Sequence, residues 1–113
     1  MVTHLVLMKP RSDLSPADRR ALVDAFERAI REIPSVRDVR VGRRIRHAAG
    51  YESAAPDAAD FIVQIDFEDL KGLQAYLRHP AHAELGARFG PSVSEALVYD
   101  FDMAGADALR SLI

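Results

Sequence analysis

The 113-residue chain contains no cysteine. Disulfide frameworks and zinc–thiolate scaffolds are therefore excluded, and a reducing cytoplasm is the expected compartment. No apolar run approaches the roughly 20 residues that a membrane-spanning helix needs, so a membrane location is not expected. The opening Met1-Val2-Thr3-His4-Leu5-Val6-Leu7-Met8-Lys9 lacks the basic start and the length of a secretion leader. An excess of positive charge is missing too: 15 Lys and Arg stand against 17 Asp and Glu, for a net charge of −2. Phosphate backbones select basic surfaces, so no nucleic acid partner is expected. Neither an internal repeat nor a linker divides the chain. What is present is 49% hydrophobic, which suits a single globular domain around one core.

Local patterns predict the elements in turn. Val2 to Lys9 is rich in branched apolar residues and closes at Pro10, which reads as a strand. Ser15-Pro16-Ala17-Asp18 is a helix start, with Ser15 as cap, Pro16 at the first helical position and Asp18 at the positive end. Leu22, Ala25, Phe26, Ala29, Ile30 and Ile33 then recur at helical spacing until Pro34. Val36 to Ile45 reads as an edge strand, His47 to Ala59 as a loop, and Phe61 to Phe67 as the clearest strand. Leu70, Leu73 and Leu77 mark a second helix. Pro80 to Phe89 continues as a short helix that Gly90-Pro91 is expected to break, and Ala96 to Met103 is the last strand. The tail, residues 104–113, is set apart from a domain spanning 1–103 and can form a short helix.

The order β-α-β-β-α-β predicts an α+β, ferredoxin-like fold: a four-stranded antiparallel sheet with its helices on one face. The opposite face is not expected to be wet. In the first strand Val2, Val6 and Met8 alternate with Leu5 and Leu7; in the last, Leu97, Tyr99 and Phe101 alternate with Val98. Strands apolar on both sides are usually buried on both. Ten tail residues do not cover four strands, so a second copy of the chain is the expected cover, making a homodimer.

The segment carrying most chemistry is Tyr76-Leu77-Arg78-His79-Pro80-Ala81-His82, a phenol and two imidazoles at a helix end. Such a cluster beside apolar residues is what a small proton-transfer site needs. It is also what a polar helix junction needs. Arg43, Arg44, Arg46 and His47 form a basic patch by the loop, either a solvated strand end or a lure for an anionic ligand.

The chain resembles the stress-responsive dimeric α/β-barrel (Dabb) family over about residues 2 to 102. The marks are His4-Leu5-Val6-Leu7-Met8-Lys9, Ile33-Pro34-Ser35-Val36 with Val41-Gly42, Phe67-Glu68-Asp69-Leu70, the Tyr76-to-His82 segment and Val98-Tyr99-Asp100-Phe101. The resemblance implies two sheets paired face to face as a dimeric barrel. Many members of the family have no known activity, and plant members are linked to stress responses. One plant member is a polyketide cyclase that closes a linear poly-β-keto thioester by an intramolecular aldol step. Its working groups fall on His4, Tyr76, His82 and Asp100 of this chain. Its pocket also has a tyrosine and a histidine where this chain has Phe26 and Phe61, which implies a less polar pocket and a different substrate.

On that resemblance, His82 is the expected base, Asp100 the carboxylate that fixes its tautomer, Tyr76 the donor to a developing enolate oxygen, and His4 an assistant. Each has a quieter alternative. Tyr76 can be core with its hydroxyl at the rim, His82 can simply tie its helix to Asp100, His79 can shape the turn before Pro80, and His4 can be a satisfied core residue. His79 and His82 have a metal-compatible spacing but no clear third ligand, so no metal and no cofactor is expected. The expected pocket wall takes Val6, Met8, Val63 and Val98 from the sheet and Leu22, Phe26, Leu77 and Leu85 from the helices. An apolar cleft with a few polar groups at one end suits a small apolar, carbonyl-bearing ligand. Two other functions stay open: a non-enzymatic stress-linked dimer, and a monooxygenase by analogy of architecture alone, which oxygen uptake with a quinol-like substrate would reveal.

Overall fold

The computed structural model describes residues 1–113. Strand β1 (Val2–Pro10) leads into helix α1 (Pro16–Glu32) and edge strand β2 (Asp38–Arg43). A loop with a 3-10 turn at Gly50–Ala54 precedes β3 (Phe61–Phe67). Helices α2 (Leu70–Arg78) and α3 (Pro80–Ser92) follow, then β4 (Val93–Asp102), a 3-10 turn at Ala106–Ala108 and the terminal α4 (Leu109–Leu112). The four strands form one antiparallel sheet in the order β2-β3-β1-β4. This is the ferredoxin-like arrangement expected from the order of elements.

The helix ends follow from their residues. Ser15 Oγ accepts from the Asp18 N–H at 3.1 Å, with Pro16 at the first helical position of α1. Asp69 Oδ1 caps α2 by accepting from the Gly72 N–H at 2.9 Å. His79 closes α2 and opens α3, its Nδ1 accepting from the Ala81 N–H at 3.0 Å. Residue 79 is extended because a proline follows it. One expectation fails here: Gly90-Pro91 does not break the helix, and α3 runs on to Ser92. Pro91 sits in the last turn, where a missing N–H removes a single hydrogen bond. The Ser92 hydroxyl adds a bond of its own to the Arg88 carbonyl at 2.6 Å.

Register decides which side chains share a face. Val2, His4, Val6 and Met8 stand opposite Phe67, Ile65, Val63 and Phe61 of β3. The same four stand opposite Asp102, Asp100, Val98 and Ala96 of β4. This set faces the helices. Ile65 and Phe67 are sealed there under Leu73, Tyr76, Ala81 and Leu85, while the small Ala25 and Ala29 of α1 let α3 pack close. Arg28 of α1 pairs with Glu84 of α3 across the top. The opposite face carries Leu5, Leu7, Ile62, Leu97, Tyr99 and Phe101; the 44–60 loop lies against Leu7, Ile62 and Leu97, and Leu97, Tyr99 and Phe101 stay exposed.

Candidate functional site

Tyr76 is the centre of the polar cluster. It closes α2 facing the sheet, is only 1% exposed, and packs its ring against Phe67 at 5.3 Å between centroids. An imidazole lies on each side: His82 of α3 at 4.8 Å and His4 of β1 at 5.8 Å. Burial pushes the Tyr76 phenol up to about 12, so it stays a protonated donor at neutral pH. His82 is driven the other way. Burial disfavours its cation, the nearby His4 adds to that, and the Leu77 backbone works in the opposite sense with less effect, leaving its pKa below the usual histidine value.

His4 is buried and its Nδ1 lies 2.6 Å from Asp100 Oδ1. Facing a carboxylate, which only accepts, Nδ1 carries a proton, and Nε2 is the ring nitrogen without a partner in the chain. Here the structure departs from the sequence reading: Asp100 holds His4, not His82. The reason is register, since His4 and Asp100 are direct partners across the β1–β4 ladder. The Asp100 carboxylate is 45% exposed, and His82 is partly exposed, so the cluster has a buried middle and two ends in contact with solvent. Ser35 Oγ is the one sealed side-chain polar atom without a partner in the chain. The Tyr76 hydroxyl and His4 Nε2 make no hydrogen bond within the chain, although both residues are buried. His79 stands apart, with its Nδ1 engaged at the start of α3.

The expected pocket residues divide three ways. Met8, Leu22, Phe26 and Val63 line a cleft of about 620 Å³ between α1 and the β2–β3 side of the sheet. Val6 and Leu85 are in the closed core. Leu77 and Val98 lie outside it, 42% and 50% exposed. A second cleft of about 410 Å³ lies under the 44–60 loop, against Leu7, Ile62 and Leu97. Neither cleft is lined by His4, Tyr76, His82 or Asp100. Of the two arginines at the first cleft, Arg43 belonged to the basic patch read as a solvated strand end or a lure for an anionic ligand, and Arg19 was missed. Helical spacing of Arg19 with Leu22, Val23 and Phe26 was the signal for one of them.

The family model for the stress responsive A/B barrel domain, Dabb, matches residues 2–103. Among curated proteins, the olivetolic acid cyclase of Cannabis sativa is 23% identical over 100 residues, 88% of this chain and 94% of the cyclase. Among solved structures, the hydroxynitrile lyase of Passiflora edulis superposes with a TM-score of 0.76 at 14% identity, covering 93% of this chain and 94% of the lyase. A dimeric ferredoxin-like protein of unknown function from Thermobifida fusca superposes at 0.69 with 22% identity and 90% of each chain covered.

Proposed function

The chain belongs to the stress responsive A/B barrel domain family, and from that membership we propose that it is a homodimeric acid–base protein that makes or breaks a carbon–carbon bond beside a carbonyl group of a small apolar ligand. The observation that carries this reading is the Asp100–His4–Tyr76–His82 arrangement. A desolvated phenol lies between two imidazoles, one oriented by a carboxylate and the other favoured in its neutral form. Two relatives of like size bear names of this chemistry, one a cyclase and one a lyase.

His82 is the base. In a cyclisation it takes a proton from the carbon next to a carbonyl; in a cleavage it takes the hydroxyl proton of a cyanohydrin as the C–CN bond breaks to a carbonyl, and passes that proton to the departing cyanide, which leaves as hydrogen cyanide. In the cyclisation the electron pair passes to oxygen, and the Tyr76 O–H donates to that developing anion. The enolate carbon then bonds to a second carbonyl carbon, whose oxygen receives the proton held by His82. A positioned base contributes about 100- to 10,000-fold, and an oxyanion donor about 100- to 1,000-fold. His4, fixed by Asp100, is a positioning residue for the Tyr76 ring. The uncovered apolar face of the sheet, with Leu97, Tyr99 and Phe101 exposed, supports the homodimer, and the dimeric Thermobifida fusca structure agrees with it.

One observation favours a second reading. The His4–Asp100 bond joins direct partners of the β1–β4 ladder and so clamps an edge strand. On that reading the cluster is a tie in a non-enzymatic dimer. Two reactions separate the readings: closure of a linear poly-β-keto thioester, and release of cyanide from an aromatic cyanohydrin. Turnover of either by the native protein, lost in His82→Gln with an unchanged melting temperature, supports catalysis. No turnover of either, together with a melting temperature several degrees lower in Asp100→Asn, supports the tie.

A further inference from the structure

The basic groups near the clefts are not equivalent. Arg44 and Arg46 both reach Asp57, at 3.9 and 3.0 Å. Arg11 is held by Asp13, and Arg28 by Glu32 and Glu84. Arg19 and Arg43 have no carboxylate within ion-pair distance, and these two line the 620 Å³ cleft. Arg19 lies three residues before Leu22 on α1, on the cleft side of the helix. Arg43 pairs with Phe61 across the β2–β3 ladder and so shares the helix-facing side with Val41 and Val63. Both belong to the end of the cleft near Pro10. Glu27, two helical turns beyond Arg19 and so about 12 Å away, marks the other end. The wall between them is mainly apolar, with Leu22, Phe26 and Val63 in it.

We infer that this cleft binds amphipathic anions, seating an apolar body against Leu22, Phe26 and Val63 and a carboxylate between Arg19 and Arg43. Apolar walls lower the local dielectric and strengthen the attraction of the two guanidinium groups for a carboxylate. Guanidinium planes suit carboxylate oxygens, and two of them can take one oxygen each or one bidentate pair. The volume is in the range of small-molecule sites. The negative Glu27 end repels a second anionic group, so the cleft selects one charge at one end of an elongated apolar body. The cleft holds Met8, Leu22, Phe26 and Val63 of the expected ligand pocket, so the inference deepens the acid–base reading by naming a ligand class for that pocket; none of the acid–base cluster's residues lines it, so binding is tested apart from turnover.

Decanoate and decyltrimethylammonium test it, since they share a chain length and differ in the sign of the head. Calorimetric titration of the native protein should give saturable binding of decanoate, one per protomer, and at least tenfold weaker binding of the cation. The amide signals of Val41 and Val63 should shift with decanoate. Arg19→Gln and Arg43→Gln are exposed changes that leave the core intact; each should weaken decanoate about fivefold, as an exposed charge pair contributes less than a factor of ten. His82→Gln should bind decanoate like the native protein. Equal affinity for the two head groups, or unchanged decanoate affinity in the Arg19→Gln/Arg43→Gln double variant, would overturn the inference. Failure of the acid–base reactions would leave it standing.

Discussion

At the scale of single residues, burial shifts two neighbouring groups in opposite directions, the Tyr76 phenol up and the His82 imidazole down. Burial lowers the His82 pKa, so its folded cation is disfavoured relative to the unfolded chain. A depressed value means that this group's stabilising contribution is complete above the unfolded pKa of about 6.5 and is lost as pH falls through the folded value. Urea unfolding from pH 7.5 down to 5 should therefore show the native protein losing stability relative to His82→Gln. Parallel curves would contradict that assignment. Tyr76 separates packing from chemistry. Tyr76→Ala should destabilise by about 3–5 kcal/mol, as loss of a buried ring does. Tyr76→Phe removes only a hydroxyl without a partner in the chain and should leave the urea midpoint within about 1 kcal/mol of native. Turnover in Tyr76→Phe should nevertheless fall about 100-fold or more. His4 adds a spectroscopic test. Nitrogen NMR should find its proton on Nδ1 in the native protein, and a shift toward a mixture of tautomers in Asp100→Asn.

At the scale of elements, most of the fold was legible because its signals are local. The Ser15 cap, Pro16 and the Leu22-to-Ile33 spacing mark α1, and the alternation from Phe61 to Phe67 marks β3. Asp69 holds the first turn of α2, so Asp69→Ala should cost about 1 kcal/mol in chemical unfolding, with no effect on His4 or His82 signals. The continuation of α3 through Gly90-Pro91 was not legible, since a proline in the last turn removes one hydrogen bond without ending the helix. The partner of Asp100 was misread for a different reason. The resemblance set Asp100 beside His82, as a carboxylate serving a catalytic histidine, whereas pairing across 96 positions gives His4. The signal was within reach: once Val98 is set on the side of Val6, an antiparallel continuation brings Asp100 opposite His4. The free arginines at the first cleft could not be recognised from composition, because only the fold shows that Asp57 occupies Arg44 and Arg46 and leaves Arg43 open.

At the scale of the whole molecule, one face of the sheet carries the helices and the cluster, and the other leaves Leu97, Tyr99 and Phe101 exposed. A sheet of this kind is stable in water when a second copy buries it. Sedimentation of the native protein should give a dimer. Leu97→Glu, placed on that face, should shift the particle toward monomer and lower its melting temperature; a monomeric native protein would remove the barrel. The central claim concerns the cluster inside each protomer: a neutral imidazole beside a protonated phenol abstracts a proton next to a carbonyl. Deuterium uptake from heavy water at the α-carbon of an apolar aryl alkyl ketone measures that step directly, whatever the natural ligand. Native protein should accelerate the uptake, His79→Gln should match it, and His82→Gln and Tyr76→Phe should each lose about 100-fold or more. Acceleration that survives in His82→Gln, or none with any ketone of the series, would contradict the account.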